Sequence, residues 1–311
     1  MKPEILRDHM LDSASPFEER VRTLDFLVLS LRQFIESVPA QGVVIPLSGG
    51  IDSSLVAALA SLACRPAFVH GITLPGPFSS THSLTDAQEL AANLGVDCMN
   101  ASITQSFELC TEELKRTLGR EVKGFTQENI QARLRMVFAM ALANEHSWIL
   151  LNTGNLSESY MGYSTLYGDM AGAFAPLGGL FKTEVYALAH TYNQIIALNS
   201  HGLCKLKNIL SEDVLMSFAW YKGEGGIPHN ILSKSPSAEL APGQSDEASF
   251  GLSYKLLDNY LIRRFVKGED SERIWEDLQV LPDIASSIDA RIKAAAFKRA
   301  LEPQHPLVHS A

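Results

Sequence analysis

Apolar residues recur at helical spacing over residues 17–37 (FEERVRTLDFLVLSLRQFIES), with Val21, Leu24, Leu27, Val28 and Leu31 on one face. That pattern predicts an amphipathic helix ahead of the core. A short apolar run at 42–47 (GVVIPL) reads as a buried strand, and Pro46 sits near its end, where a missing ladder donor matters least. After SGGIDSS comes LVAALASLA, a helix of small apolar residues. Residues 67–74 (AFVHGITL) predict a second strand, 82–94 (HSLTDAQELAANL) a helix and 96–103 a third strand. Residues 127–146 predict a long helix with Ile130, Leu134, Val137, Ala141 and Leu142 on one face, and 147–152 (SWILLN) a fourth strand. The alternation of strand and helix implies parallel crossovers. The expected fold is α/β: a doubly wound, mostly parallel sheet with helices on both faces. Ligands on such sheets sit beyond the carboxyl ends of the strands. Those ends are Leu47–Ser48, Leu74–Pro75 and Asn152–Thr153, each followed by small or polar residues.

Beyond residue 160 the pattern changes. Residues 161–181 are rich in Gly and Ala and poorly periodic, which suggests an ordered loop over the site. A helix is expected at Thr183–Leu198, a turn-rich stretch at 199–250 with GEGG at 223–226, and closing helices at 252–265 and 283–301. No repeat and no linker stands out, so one domain over 1–311 is expected, with a core at about 20–200 and a C-terminal helical extension at about 200–311.

Composition narrows the class. Across 311 residues, 26 Lys+Arg stand against 35 Asp+Glu, a formal charge of −9, and 46% of positions are hydrophobic. The hydrophobic share is ample for a core, and the acidic balance argues against a chain-wide nucleic-acid surface. No apolar run approaches the ~18–20 residues of a membrane span. The opening MKPEILRDHMLD carries charge where a signal peptide has an apolar stretch. Cys64, Cys98, Cys110 and Cys204 are too scattered for a disulfide framework. A soluble, cytoplasmic chain is expected, with neither nucleic acid nor membrane as partner.

Chemistry concentrates in Ser48-Gly49-Gly50-Ile51-Asp52-Ser53-Ser54, between a strand and a helix. Adjacent glycines permit a tight turn and close backbone approach. Backbone N–H groups and serine hydroxyls then converge at the positive end of the following helix, a geometry that suits phosphate or pyrophosphate. Asp52 repels phosphate unless it holds a cation, which implies Mg²⁺. The plain alternative is a capped turn. A Walker loop is excluded because Gly178-Gly179-Leu180-Phe181-Lys182-Thr183 lacks Gly directly before Lys, and a nucleophile elbow because Pro46 stands at its first Gly.

SGGIDSS resembles the pyrophosphate loop of the N-type ATP pyrophosphatases. Within them the chain resembles the NAD⁺ synthetases, through LPGPFSSTHSLTDAQELAANLG (74–95), ENIQARLRM (128–136), NTGNLSESYMGYSTLYGDMAGAFAPLGGLFKTEV (152–185), ILSKSPSAELAPGQSDEASFGLSY (231–254) and FKRALEP (297–303). These strings are closer to the synthetase part of the bacterial glutamine-dependent enzymes than to the stand-alone ammonia-dependent ones. The resemblance spans roughly residues 20–303.

The resemblance implies ATP-dependent adenylation of the nicotinate carboxylate of deamido-NAD⁺, followed by attack of ammonia and release of AMP. It makes Asp52 and Glu158 magnesium ligands over the strand ends. It places Ser48, Gly49, Gly50, Asp52, Ser53, Ser54, Thr153, Lys182 and Ser237 around ATP, with Lys182 on the phosphates. Arg133, Asp169 and Lys298 become contacts of deamido-NAD⁺, and Arg135, on another helix face, the solvated arginine. Asp52 is expected to face solvent, so that its loss relieves repulsion. Leu166 and Phe297 depart from residues that some members carry, as do Ala173 and Phe174. Residues 200–226 look longer than the family's usual connection. The family implies a homodimer. With no amidase constellation ahead of residue 17, ammonia would arrive free or from a separate glutaminase. Another adenylating pyrophosphatase and a non-catalytic nucleotide-binding paralogue remain as alternatives. His305 and His309, beside Pro306, do not form a metal-binding helix, and Met136, Phe138 and Met140 read as core or interface.

Overall fold

Alternate residues of β1 (Gly42–Pro46) enter different apolar layers: Val43 and Ile45 one, Val44 the other, all three fully buried. A parallel strand buried on both faces needs helices on both, and the computed structural model has them. It describes residues 9–309 apart from 221–224, 238, 242 and 244. Along the chain run α1 (Phe17–Ser37), β1, α2 (Ile51–Ala63), β2 (Val69–Thr73), α3 (Thr81–Leu94), β3 (Asp97–Asn100), α4 (Thr104–Leu118), α5 (Phe125–His146), β4 (Trp148–Leu150), α6 (Leu156–Met161) and α7 (Lys182–Ile196). The four strands form one parallel sheet in the order β3-β2-β1-β4, with Val43 opposite Val69 on one side and Ile149 on the other.

On one face α1, α2, α3 and α7 pack through Leu24, Leu27, Leu31, Leu55, Leu59, Leu90 and Leu188. On the other, Ala139 and Ala143 of α5 meet Val44, Ile72 and Leu150, and α4 leans on α5 through Phe107 and Ile130. The chain leaves β1 on the α2 side and enters β4 from α5. The switch point of the sheet therefore lies between β1 and β4, where a ligand crevice belongs.

The expected strands all form, shortened to their paired residues, and α1 spans the residues its periodicity marks. Helix α4 has no counterpart in the sequence reading: it carries five charges in fifteen residues and buries only Phe107. The stretch 199–250 is more ordered than its turns suggest, with α8 (Ser200–Cys204), α9 (Glu212–Trp220), α10 (His229–Ser233) and α11 (Asp246–Phe250). Leu206, Leu210, Val214 and Phe218 sink into the layer that holds α1 and α2, so 206–218 builds core; residues 221–224 lie outside the described residues. Then follow α12 (Tyr254–Leu261), running into a π-helical turn at Ile262–Val266, α13 (Ser271–Asp277), α14 (Pro282–Ala294) and α15 (Ala296–Arg299). The last two split the expected 283–301 helix. Together with α6, helices α12, α13 and α14 share a second core around Tyr160, Leu257, Tyr260, Trp275 and Ile288. The final segment runs back over the first half: Gln304 bridges Phe174, Phe174 bridges Leu151, and Val308 is fully buried.

Candidate active site

At the end of β1 the chain turns through Ser48, Gly49 and Gly50 into α2. Gly49 has φ 73°, and a Cβ there would fall on the Ser83 carbonyl at the start of α3. The turn is held from within: Ser53 Oγ accepts from Ser48 N–H at 3.2 Å, and Gly50 N–H donates to Ser48 Oγ at 3.2 Å. Gly50 is the N-cap of α2 and has no side chain to occupy the N–H groups of the first turn. Ser54 turns inward and donates to the Gly50 carbonyl at 2.7 Å. Thus Ser48, Gly50, Asp52 and Ser53 line the cavity, while Gly49 and Ser54 shape the turn behind them.

Across the cavity stands α6, capped by Asn155. Its Oδ1 accepts from Glu158 N–H at 3.1 Å, and its Nδ2 donates to Asp52 Oδ1 at 2.9 Å. One residue thus fixes Glu158 and Asp52 together. Sequence reasoning passed over Asn155, although Asn followed three residues later by Glu is the signature of a capped helix start. Lys182 opens α7 and is 2% exposed. Its Nζ pairs with Asp52 Oδ2 and, at 3.2 Å, with Glu158 Oε1. Burial works against the Lys182 charge, but Asp52 and Glu158 more than offset it and hold its pKa above the usual lysine range. Burial, with Asp52 and Asp246 adding, pushes Glu158 above the usual carboxylate range while Lys182 opposes. Asp52 is therefore not the solvent-facing carboxylate the sequence suggests: it is an ion-pair partner, only 17% exposed at the side chain.

A third carboxylate, Asp246 at the start of α11, is buried and accepts from Tyr254 Oη at 3.1 Å. Two carboxylates converging on one ammonium group are a hard-oxygen donor set, and Mg²⁺ is held by one or two carboxylates together with substrate phosphates. Asp52 and Glu158 fit that ion.

The remaining walls come from distant segments. Glu239 accepts from Ser80 N–H at 3.2 Å, Ser80 Oγ at 3.0 Å and Ser83 Oγ at 2.7 Å, which fastens the 231–241 segment to the start of α3. Lys234 donates to Ser83 Oγ beside it. Ser237 and Thr153 line the same cavity of about 310 Å³, as does Asp169, which burial pushes up to about 6 against the pull of the Thr165 N–H at 2.6 Å.

Two basic residues are placed differently from expectation. Arg135 is the arginine in the cavity wall, its Nε donating to the Leu74 carbonyl at 3.0 Å. Arg133 is exposed, outside the cavity, and donates to the Leu166 carbonyl at 3.1 Å. Lys298 directs its Nζ to the carbonyls of Gly162 at 2.9 Å and Ser164 at 2.5 Å, so it ties down the 161–181 loop rather than entering the cavity. Glu302, Pro303 and His305 reach the cavity instead.

Residues 23–302 match the family model described as NAD synthase. The glutamine-dependent NAD(+) synthetase of Thermotoga maritima is 38% identical over 248 residues, which is 80% of this chain and 38% of that protein. The chain spans 38–53% of the length of the glutamine-dependent relatives it matches. The NH(3)-dependent NAD(+) synthetase of Pyrococcus furiosus is 34% identical over 283 residues, 90% of this chain and 95% of that protein. Among solved structures, an NMN synthetase from Francisella tularensis superposes with a TM-score of 0.68 at 28% identity, over 90% of this chain and 95% of that one.

Proposed function

The chain belongs to the NAD synthase family, and on that premise we propose that it is an ATP-using ligase that converts deamido-NAD⁺ to NAD⁺ with ammonia, through an acyl-adenylate, releasing AMP and pyrophosphate. The observation that carries this reading is the convergence of Asp52, Glu158 and Lys182 beside the glycine turn at the end of β1. A carboxylate is a poor nucleophile toward a negatively charged α-phosphate. The site must neutralise the triphosphate and favour the leaving pyrophosphate. In this proposal the free N–H groups at the start of α2 and the hydroxyls of Ser48 and Ser53 hold phosphate oxygens, and Lys182 carries charge that follows the leaving pyrophosphate. Asp52 and Glu158 would hold Mg²⁺, which when bound neutralises phosphate charge. A nicotinate oxygen bonds to the α-phosphorus as the bond from that phosphorus to the bridging oxygen breaks. Ammonia then attacks the acyl carbon, the bond from that carbon to the bridging oxygen breaks so that AMP leaves with the former carboxylate oxygen, and the nitrogen sheds a proton. Thr153 and Ser237 face ATP in this scheme and Asp169 faces the dinucleotide.

The exposed stripe of α5 suggests why Arg133 lies outside the cavity. Arg133, Val137 and Ala141 share it, and an exposed valine and alanine beside the arginine suit a second copy of the chain packed there. In such a homodimer Arg133 meets dinucleotide near the interface. The four cysteines are free, in keeping with a cytoplasmic setting, and no helix among the described residues is long and apolar enough to cross a membrane.

The test is product analysis with ATP and Mg²⁺, supplying ammonium or glutamine as nitrogen donor and deamido-NAD⁺ or nicotinic acid mononucleotide as acceptor. NAD⁺ formed from ammonium and not from glutamine is expected. Equal rates with glutamine in preparations cleared of glutaminase would place the nitrogen source elsewhere. The likeness to an NMN synthetase favours the mononucleotide as second reading, and preferential turnover of it would establish that one.

A further inference from the structure

Helix α7 supplies only part of its own cap: Glu184 accepts from the Phe181 N–H at 2.9 Å, but nothing in the helix answers the N–H groups of Lys182 and Thr183. Its N-cap residue is Phe181, whose ring offers no acceptor, yet the first N–H groups of a helix need partners. Those partners come from other elements. The Lys182 N–H donates to Ser157 Oγ at 2.9 Å, and the Thr183 N–H donates to Asp258 Oδ2 at 2.8 Å. Ser157 Oγ donates in turn to Asp258 Oδ1 at 2.5 Å, and Thr183 Oγ1 donates to Asp258 Oδ2 at 2.9 Å. One carboxylate, fully buried on α12, therefore gathers the residue before Glu158 and the residue after Lys182. Its position at the positive end of α7 suits an anion, and three donors on a single carboxylate make a geometrically determined joint.

We propose that Asp258 is a positioning residue for the phosphate-handling pair: by holding Ser157 and Thr183 at once it fixes how far Lys182 stands from Glu158 and Asp52. The inference rests on the reading of that cluster as the nucleotide site. Asp258 does not line the cavity, so it acts only through the backbone of α6 and α7. Lys182 reaches both carboxylates by single hydrogen bonds from one Nζ, and sub-ångström errors in the helix start displace that atom directly. A misplacement of about 1 Å remote from the chemistry is enough for about a hundredfold loss of rate. The proposal also gives the C-terminal third a task at the site. Helix α12 lies in the second core and reaches the cluster through this side chain and through Tyr254, whose ring centroid is 5.4 Å from Lys182 Nζ and whose Oη donates to Asp246.

The test compares Asp258→Ala, Ser157→Ala, their double variant and Leu257→Ala in the full chain. Leu257 is equally buried on the same helix, but its side chain packs into the second core and does not line the cavity. Each protein is measured for melting temperature, Mg·ATP affinity by calorimetry, and ATP–pyrophosphate exchange with deamido-NAD⁺. Asp258→Ala and Ser157→Ala are expected to weaken Mg·ATP binding about fivefold or more and to lower exchange kcat about ten- to a hundredfold, with the KM for deamido-NAD⁺ within about twofold. The double variant should be no worse than Asp258→Ala, because the two act as one joint. Leu257→Ala should lose comparable melting temperature yet keep both nucleotide readouts within about twofold. Should Asp258→Ala fail to fold, Asp258→Asn, which keeps volume and one acceptor oxygen, takes its place and is expected to fall between wild type and Ser157→Ala. Losses that simply track melting temperature across all variants, or a raised KM for deamido-NAD⁺ with unchanged ATP affinity, overturn the proposal. Wild-type protein that binds Mg·ATP but exchanges nothing with deamido-NAD⁺ sinks the functional reading alone, and the ATP affinities still decide Asp258. Wild-type protein that does not bind Mg·ATP overturns both.

Discussion

Two neighbouring glycines in the β1–α2 turn answer to different constraints. A methyl group on Gly49 meets both a left-handed backbone, worth ~1–2 kcal/mol, and the Ser83 carbonyl, whereas one on Gly50 meets only the Ser48 hydroxyl at 3.2 Å. Gly49→Ala is expected to lower the melting temperature and weaken Mg·ATP binding at least tenfold by calorimetry, with Gly50→Ala the milder change in both. Asp52 carries the other residue-scale expectation. Because its carboxylate pairs with Lys182 and accepts from Asn155, Asp52→Asn removes a partner from a buried cation instead of relieving repulsion. The loss should be on the order of 1–3 kcal/mol of stability, seen as a lower melting temperature, and pyrophosphate release should fall by more than about tenfold. Retention within that factor, about 1.4 kcal/mol of barrier, would remove Asp52 from the proposed metal pair.

Among the elements, α6 is short and depends on its cap. Asn155→Ala deletes the bond to the Glu158 N–H and the bond to Asp52 together, with a cap contribution of about 0.5–2 kcal/mol. A drop in melting temperature accompanied by weaker Mg·ATP binding is expected. Asp270→Ala, which deletes the cap of α13, is the comparison for a cap away from the cavity. The elements themselves were largely legible. Strands buried on both faces write themselves as apolar runs, and α1 has one clear stripe. Helix α5 shows where periodicity fails. Leu134, Met136, Val137, Phe138 and Met140 crowd successive positions, so the sequence sets no phase, and it is Arg135, read as the solvated arginine, that lines the cavity while Arg133 is exposed. The cluster residues Asp52, Glu158 and Lys182 could be named from their motifs. The joint behind them could not: Ser157 and Asp258 lie 101 residues apart, Thr183 and Asp258 75, and only the folded chain brings them together.

At the scale of the whole molecule, buried acids set how stability answers to pH. Burial pushes Asp258 up to about 7 and Asp169 up to about 6, well above the ~3.9 of a free aspartate. Between about pH 4 and 7 the folded chain holds protons that the unfolded chain has released, so these two groups make stability fall as pH rises through that window and contribute no further slope above it. Wild type should therefore lose more melting temperature between pH 5 and pH 8 than Asp258→Asn, which lacks one of the titrating groups. The corner around Lys182 has a consequence of another kind. Asp52, Glu158 and Asp246 surround a single ammonium there, so the local field is that of an anion. A bare triphosphate approaching it meets like charge, and nucleotide and divalent ion are drawn in only as a neutralising couple. Chelation should then abolish ATP binding itself, well before turnover is considered, and calorimetric titration with ATP in EDTA should give no heat where Mg·ATP gives a full isotherm.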